Sequence, residues 1–124
     1  MKLQHDPEHI ILRDSAEKFL AERYDFSAFK AIAASEPGWS EAIWQEFAKL
    51  GWLGLPIAED YGGSAADAAS IAVLMESLGR HIVLEPYLAT VILGGGLIAA
   101  LASRSECRSL LPPMVDGRQR FAFA

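Results

Sequence analysis

The sequence predicts an all-α, up-down-type helical domain of about five to six helices. Three observations carry this. Apolar residues recur at helical spacing in several separate windows. Residues that cap helices stand at the edges of those windows, such as Asp6-Pro7 at one start and Gly51 at one end. The stretch Tyr87 to Ala102, YLATVILGGGLIAALA, is uncharged throughout. At helical rise it is roughly 24 Å long, short of the ~18 or more apolar residues of a membrane span. It reads as a helix apolar on all sides, buried among other helices.

The first helix starts at Asp6-Pro7-Glu8, a capping carboxylate followed by proline at the first helical position. Ile10, Ile11, Leu12, Ala16, Phe19 and Leu20 form its apolar face. Ser27 opens a short second helix through Ala34, and Ser35-Glu36-Pro37-Gly38 is a turn. A third helix runs from Trp39 or Ser40 to Leu50, with Ile43, Trp44, Phe47 and Leu50 on one stripe and Gly51 as a left-handed cap. Trp52 to Ile57 is apolar and broken by Gly and Pro, so it reads as a buried extended connection. Tyr61-Gly62-Gly63 is a turn.

Ser64 or Asp67 opens a fourth helix that ends near Leu78 with Gly79 as its cap. Pro86 starts the uncharged helix. Its Gly94-Gly95-Gly96 run calls for close approach of a neighbouring helix or a ligand, because each mid-helix glycine costs about 1 kcal/mol relative to alanine. Ser103 or Ser105 opens a last helix, broken or tightened at Pro112-Pro113. After Asp116-Gly117, Arg118 to Ala124 alternates like the first strand of a sheet. Nothing upstream looks like its partner.

Composition bounds the function. The 124 residues suffice for a single core; 52% are hydrophobic and 22% charged, which marks a globular chain. The net charge of −5 argues against nucleic-acid or anionic-membrane binding, which both want a basic patch. The single cysteine, Cys107, allows no intramolecular disulfide. The start, MKLQHDPEHI, has no apolar core behind a basic stretch, so neither a secretory signal nor a transit peptide is read there and a cytoplasmic location is expected.

Chemistry motifs are sparse. His5-x-x-Glu8-His9 matches a zinc-protease pattern by letters, but Pro7 places His5 before the helix and no third ligand is apparent, so no metal site is expected. Glu59, Asp60, Asp67, Glu76 and Glu85 have no obvious partners for acid–base work. Glu76 is read as half-buried and paired with Arg80, four residues on. Trp39, Trp44 and Trp52 cluster around one helix end and suit core packing. No residue is assigned as catalytic.

The order of words from Trp44 onward is specific: Trp44-x-x-Phe47-Ala48-x-Leu50-Gly51-Trp52-Leu53-Gly54-Leu55-Pro56, then Ile57-Ala58-Glu59-Asp60-Tyr61-Gly62-Gly63. Met75-Glu76-x-Leu78-Gly79-Arg80, Glu85-Pro86 and Leu110-Leu111-Pro112 follow. Together they resemble the N-terminal helical domain of the FAD-dependent acyl-CoA dehydrogenase family. The resemblance implies an enzyme that desaturates an acyl-CoA thioester between its α and β carbons and passes electrons to a separate acceptor, in a homo- or hetero-oligomer. It places residues 1–117 in the helical domain and 118–124 at the start of the middle β-domain. The catalytic base and most of the FAD site would lie outside this chain, which alone is expected to be inactive. Counting back from Leu110-Leu111 without gaps, the resemblance puts Ala89, Thr90 and Leu93 on the wall of the acyl-binding channel and Phe123 at the edge of the flavin site. Two other readings fit the residues. One is a non-catalytic helical module that pairs with a partner dehydrogenase chain, motivated by the unpaired terminal segment. The other is a small-ligand binder using the glycine-rich helix as its pocket.

Overall fold

In the computed structural model, which describes residues 6–124, four helices open on a side-chain oxygen that accepts a backbone N–H from the first turn. Asp25 takes Ala28 N–H at 2.8 Å, Ser40 takes Ile43 N–H at 3.3 Å, Asp67 takes Ser70 N–H at 2.8 Å and Ser103 takes Glu106 N–H at 3.1 Å. The resulting elements are α1 (Pro7–Arg23), α2 (Phe26–Ala34), α3 (Glu41–Lys49), α4 (Ala68–Arg80), α5 (Gly96–Leu101) and α6 (Arg104–Val115). A π-helical segment, Leu88–Gly95, leads straight into α5. No strand occurs among the described residues, in line with the all-α expectation.

The chain forms two compact units. The first takes the described residues through Trp39 together with Asp67–Leu84. Here α1 and α4 run side by side with their N-terminal ends together. His9 Nδ1 accepts the Asp6 N–H at 3.2 Å, which leaves Nε2–H to donate to Asp67 at 3.1 Å. Further along, His81 Nε2–H donates to Glu17 at 2.7 Å, and Leu84 N–H donates to the Tyr24 hydroxyl at 2.9 Å. The His81 hydrogen bond holds the Glu17 carboxyl below its ordinary value. The Ser70 backbone N–H, then its side chain and His9, pull Asp67 down to about 2.

The second unit takes Ser40–Ala66 and Glu85–Ala124. Trp44, Phe47 and Trp52 are buried at its centre, with ring centroids 6.3 Å apart for the first pair and 4.9 Å for the second. Residues 64–66 close back on 54–57 through Ser64 N–H to Gly54 O, Ala65 N–H to Ile57 O and Ala66 N–H to Leu55 O, at 2.8–2.9 Å. A Cβ at Gly63 would overlap the Ile57 carbonyl, so this pinch needs glycine. Buried Glu85 accepts the Ser40 N–H at 2.8 Å, at the amide end of α3 that favours negative charge.

Several expectations are corrected. Asp25, not Ser27, caps α2. The buried face of α1 is His9, Ala16 and Leu20, while Ile10 and Ile11 are exposed. Trp52–Gly54 is a 3-10 turn, because Gly51 at φ 80° reverses the chain without letting it extend. α4 continues through Gly79 to Arg80. The Glu76–Arg80 pair forms at 2.9 Å, but the Glu76 side chain is 63% exposed. Pro112 and Pro113 sit inside an unbroken α6. Not a correction is the terminal segment: residues 118–124 have no ladder partner among the described residues, and none was expected upstream. His5 lies outside the described residues.

Candidate functional site

The glycine-rich helix begins after Pro86 with Tyr87, whose buried hydroxyl donates to the Trp52 carbonyl at 2.7 Å. Burial pushes this phenol far above its usual range, so it stays a neutral donor. Leu88–Gly95 then winds as a π-helix, with one wider turn than an α-helix allows. Its inner side is Thr90, Val91, Gly94 and Gly95, all buried. Its outer side carries Leu88, at 51% exposure, and Leu93, at 46%. These are five residues apart, one π turn. Leu97 and Leu101 continue the row at four-residue steps through α5 and are also exposed. One row of apolar side chains therefore runs along solvent, outside the core.

The glycines have different reasons. A Cβ at Gly94 would lie 2.6 Å from the Cβ of Phe121, and one at Gly95 would lie 3.0 Å from the sulfur of Met114. At Gly96 a Cβ would meet nothing within 4 Å. Two of the three therefore serve close approach, by α6 and by the terminal segment.

Of the four sequence-predicted site residues, Ala89 is half-buried and Leu93 stands in the exposed row. Thr90 is fully buried, and its hydroxyl meets both backbone groups of Phe121, accepting N–H at 3.3 Å and donating to the carbonyl at 3.2 Å. Phe123, 69% exposed, lines an open apolar groove of about 400 Å³ with Leu97, Leu101, Ala102 and Leu110. Glu106 is the charged residue of that lining. The structure thus joins Phe123 to Leu97 and Leu101, not to Ala89 or Leu93. The sequence reading missed Leu97 and Leu101, although four-residue steps from Leu93 point to both.

The groove supplies an aromatic ring and aliphatic walls, and its one charged member is an acid, the wrong sign for a diphosphate. Among the described residues, this groove does not by itself make an FAD site. Among the described residues no cluster of His, Cys, Asp or Glu could hold a metal ion, and no helix is long and apolar enough to cross a membrane.

Comparison with known proteins agrees with this architecture. The acyl-CoA dehydrogenase IpdE2 of Mycobacterium tuberculosis is 31% identical over 94 residues, covering 75% of this chain and 30% of the relative. The ChsE4–ChsE5 complex of Mycobacterium tuberculosis matches in fold with a TM-score of 0.89 at 17% identity, over 98% of this chain and 34% of that one. An acyl-CoA dehydrogenase of Bacillus anthracis, crystallised with FAD, matches with a TM-score of 0.86 at 23% identity, over 94% of this chain and 20% of that one. The chain thus spans about a third or less of each of these three proteins. Residues 6–118 match the family profile described as the N-terminal domain of acyl-CoA dehydrogenase. On that match, over an all-helical chain with this order of elements, the protein belongs to the acyl-CoA dehydrogenase family through its N-terminal domain.

Proposed function

We propose that this domain serves an FAD-dependent acyl-CoA dehydrogenase, α,β-desaturating an acyl-CoA thioester, and that it supplies one wall of the acyl channel. The observation that carries the reading is the exposed row Leu88, Leu93, Leu97 and Leu101, whose first half stands on a π-helical segment buried on its other side. A solvated surface gains nothing from such a row. An aliphatic chain laid against it gains roughly 25 cal/mol per Å² of apolar surface removed from water. The part played by these side chains is orientation of the chain and exclusion of water. Ala89, small and half-buried, stands one turn before Leu93 and adds little bulk to that wall. The flavin supplies the oxidising chemistry, with Phe123 at the edge of its site and most of that site on residues other than those described.

The test is purification of the native gene product, with its intact mass, its visible spectrum and its acyl-CoA oxidation measured by dye reduction across chain lengths. Flavin absorption and substrate-dependent reduction are expected. A flavin-loaded protein that contains this chain and oxidises no acyl-CoA would falsify the proposal.

A second reading, pairing with a partner dehydrogenase chain, is favoured by the same exposed row and by the match to a two-component complex. Co-purification of a second, larger chain that carries the flavin is its expected signature.

A further inference from the structure

The segment after α6 is tied down residue by residue, without any sheet. Arg118 N–H and Gln119 N–H both donate to the Pro113 carbonyl, at 2.9 and 3.2 Å. Arg120 reaches Glu41 at 3.0 Å. The hydroxyl of Thr90 then takes the N–H and the carbonyl of Phe121. A hydroxyl can do both at once, since it has one proton to give and lone pairs to receive. It thereby serves both backbone groups of one residue, as a ladder partner would. Gly94 lies under the Phe121 side chain, where a Cβ would collide at 2.6 Å. Two residues on from Phe121, Phe123 lines the apolar groove with Leu97 and Leu101.

We propose that Thr90 is a positioning residue: with Gly94 it clamps the terminal segment through the backbone of Phe121 and so sets Phe123 as a wall of the apolar groove. Thr90 on this account does not itself line the channel. The identity of the groove's occupant, an acyl chain, rests on the proposed function; the clamp does not.

The experiment compares the full chain with its Thr90→Val, Thr90→Ser and Gly94→Ala variants. Amide hydrogen exchange is read at Phe121, and dodecanoyl-CoA binding is read by calorimetry. Thr90→Val should raise exchange at Phe121 by about tenfold, with the rest of the second unit unchanged, and weaken dodecanoyl-CoA binding several-fold. Thr90→Ser keeps the hydroxyl and should retain both properties. Gly94→Ala should lose both from the opposite side of the clamp. Unchanged exchange at Phe121 in Thr90→Val overturns the proposal, as does a rise spread evenly over the unit. Loss of protection with dodecanoyl-CoA affinity intact removes Phe123 as a wall. Thr90-dependent protection in a chain that binds no dodecanoyl-CoA leaves the clamp standing and removes the acyl reading alone.

Discussion

Glycines 94, 95 and 96 are identical in sequence and unlike in surroundings, and substitution should separate them. Gly96→Ala adds a methyl where nothing lies within 4 Å, at helical φ and ψ. It should raise unfolding free energy by about 0.5–1 kcal/mol, read from the urea midpoint. Gly95→Ala presses on Met114, a flexible neighbour, and should cost about 1–3 kcal/mol. A loss at Gly96 equal to that at Gly95 would refute the assignment. The triplet's oddity was legible from composition alone, but which neighbour filled the space was not, because both neighbours are far along the chain. Asp67 behaves in the same way. Its capping role was one of two candidates in the sequence, while its contact to His9, across 58 positions, had no local sign. With its carboxyl held at about 2 against an ordinary 3.8, Asp67 stabilises the fold above about pH 4, and that contribution fades as pH falls toward 2. Asp67→Asn should therefore lose less stability over that window than the parent chain, as followed by circular dichroism during acid titration.

Helices were the most readable level. The starts at Ser40 and at Pro86, and the left-handed Gly51, follow from local chemistry, and each stands where the sequence put it. Misreadings came where tertiary contact overrides local preference. Two β-branched residues, Ile10 and Ile11, looked like core, yet α1 turns His9 inward because Asp6 and Asp67 both bond it. The prolines of α6 looked like breakers, yet the helix passes through them, carrying buried Leu111 and Met114 into the second unit's core. α3 rests on its aromatic stripe. Phe47→Ala should cost about 3–5 kcal/mol, since the ring lies between Trp44 and Trp52 with no exposed surface. Tryptophan fluorescence during urea unfolding measures it. A loss below about 1 kcal/mol would mean that the site collapses around the gap.

At the scale of the whole molecule, the apolar residues left outside the core set its behaviour in solution. Leu88, Leu93, Leu101 and Phe123 are each at least 46% exposed. The chain should bind hydrophobic dyes and associate as concentration rises, and Leu93→Lys with Leu101→Lys should suppress both. Light scattering at rising concentration checks this, and a monodisperse parent chain with no dye response would count against it. The family was legible from the order of words between Trp44 and Arg80, because that order records a fold and not one contact. The exposed row was harder to read: the helix looks apolar on every side in sequence, and only the packing shows which side faces the core.

The π turn at Leu88–Gly95 bears on how residue roles pass between relatives. A helix of this kind holds one residue more than an α-helix closing the same turn. Counting back from Leu110-Leu111 without a gap crosses that extra residue. Against a relative whose helix is α throughout, every position upstream is then displaced by one, about 100° around the axis. The displaced position exchanges an outward residue such as Leu93 for a neighbour facing elsewhere. Equivalence along this helix should be drawn from superposed backbones on each side of the wide turn, with an insertion placed inside it.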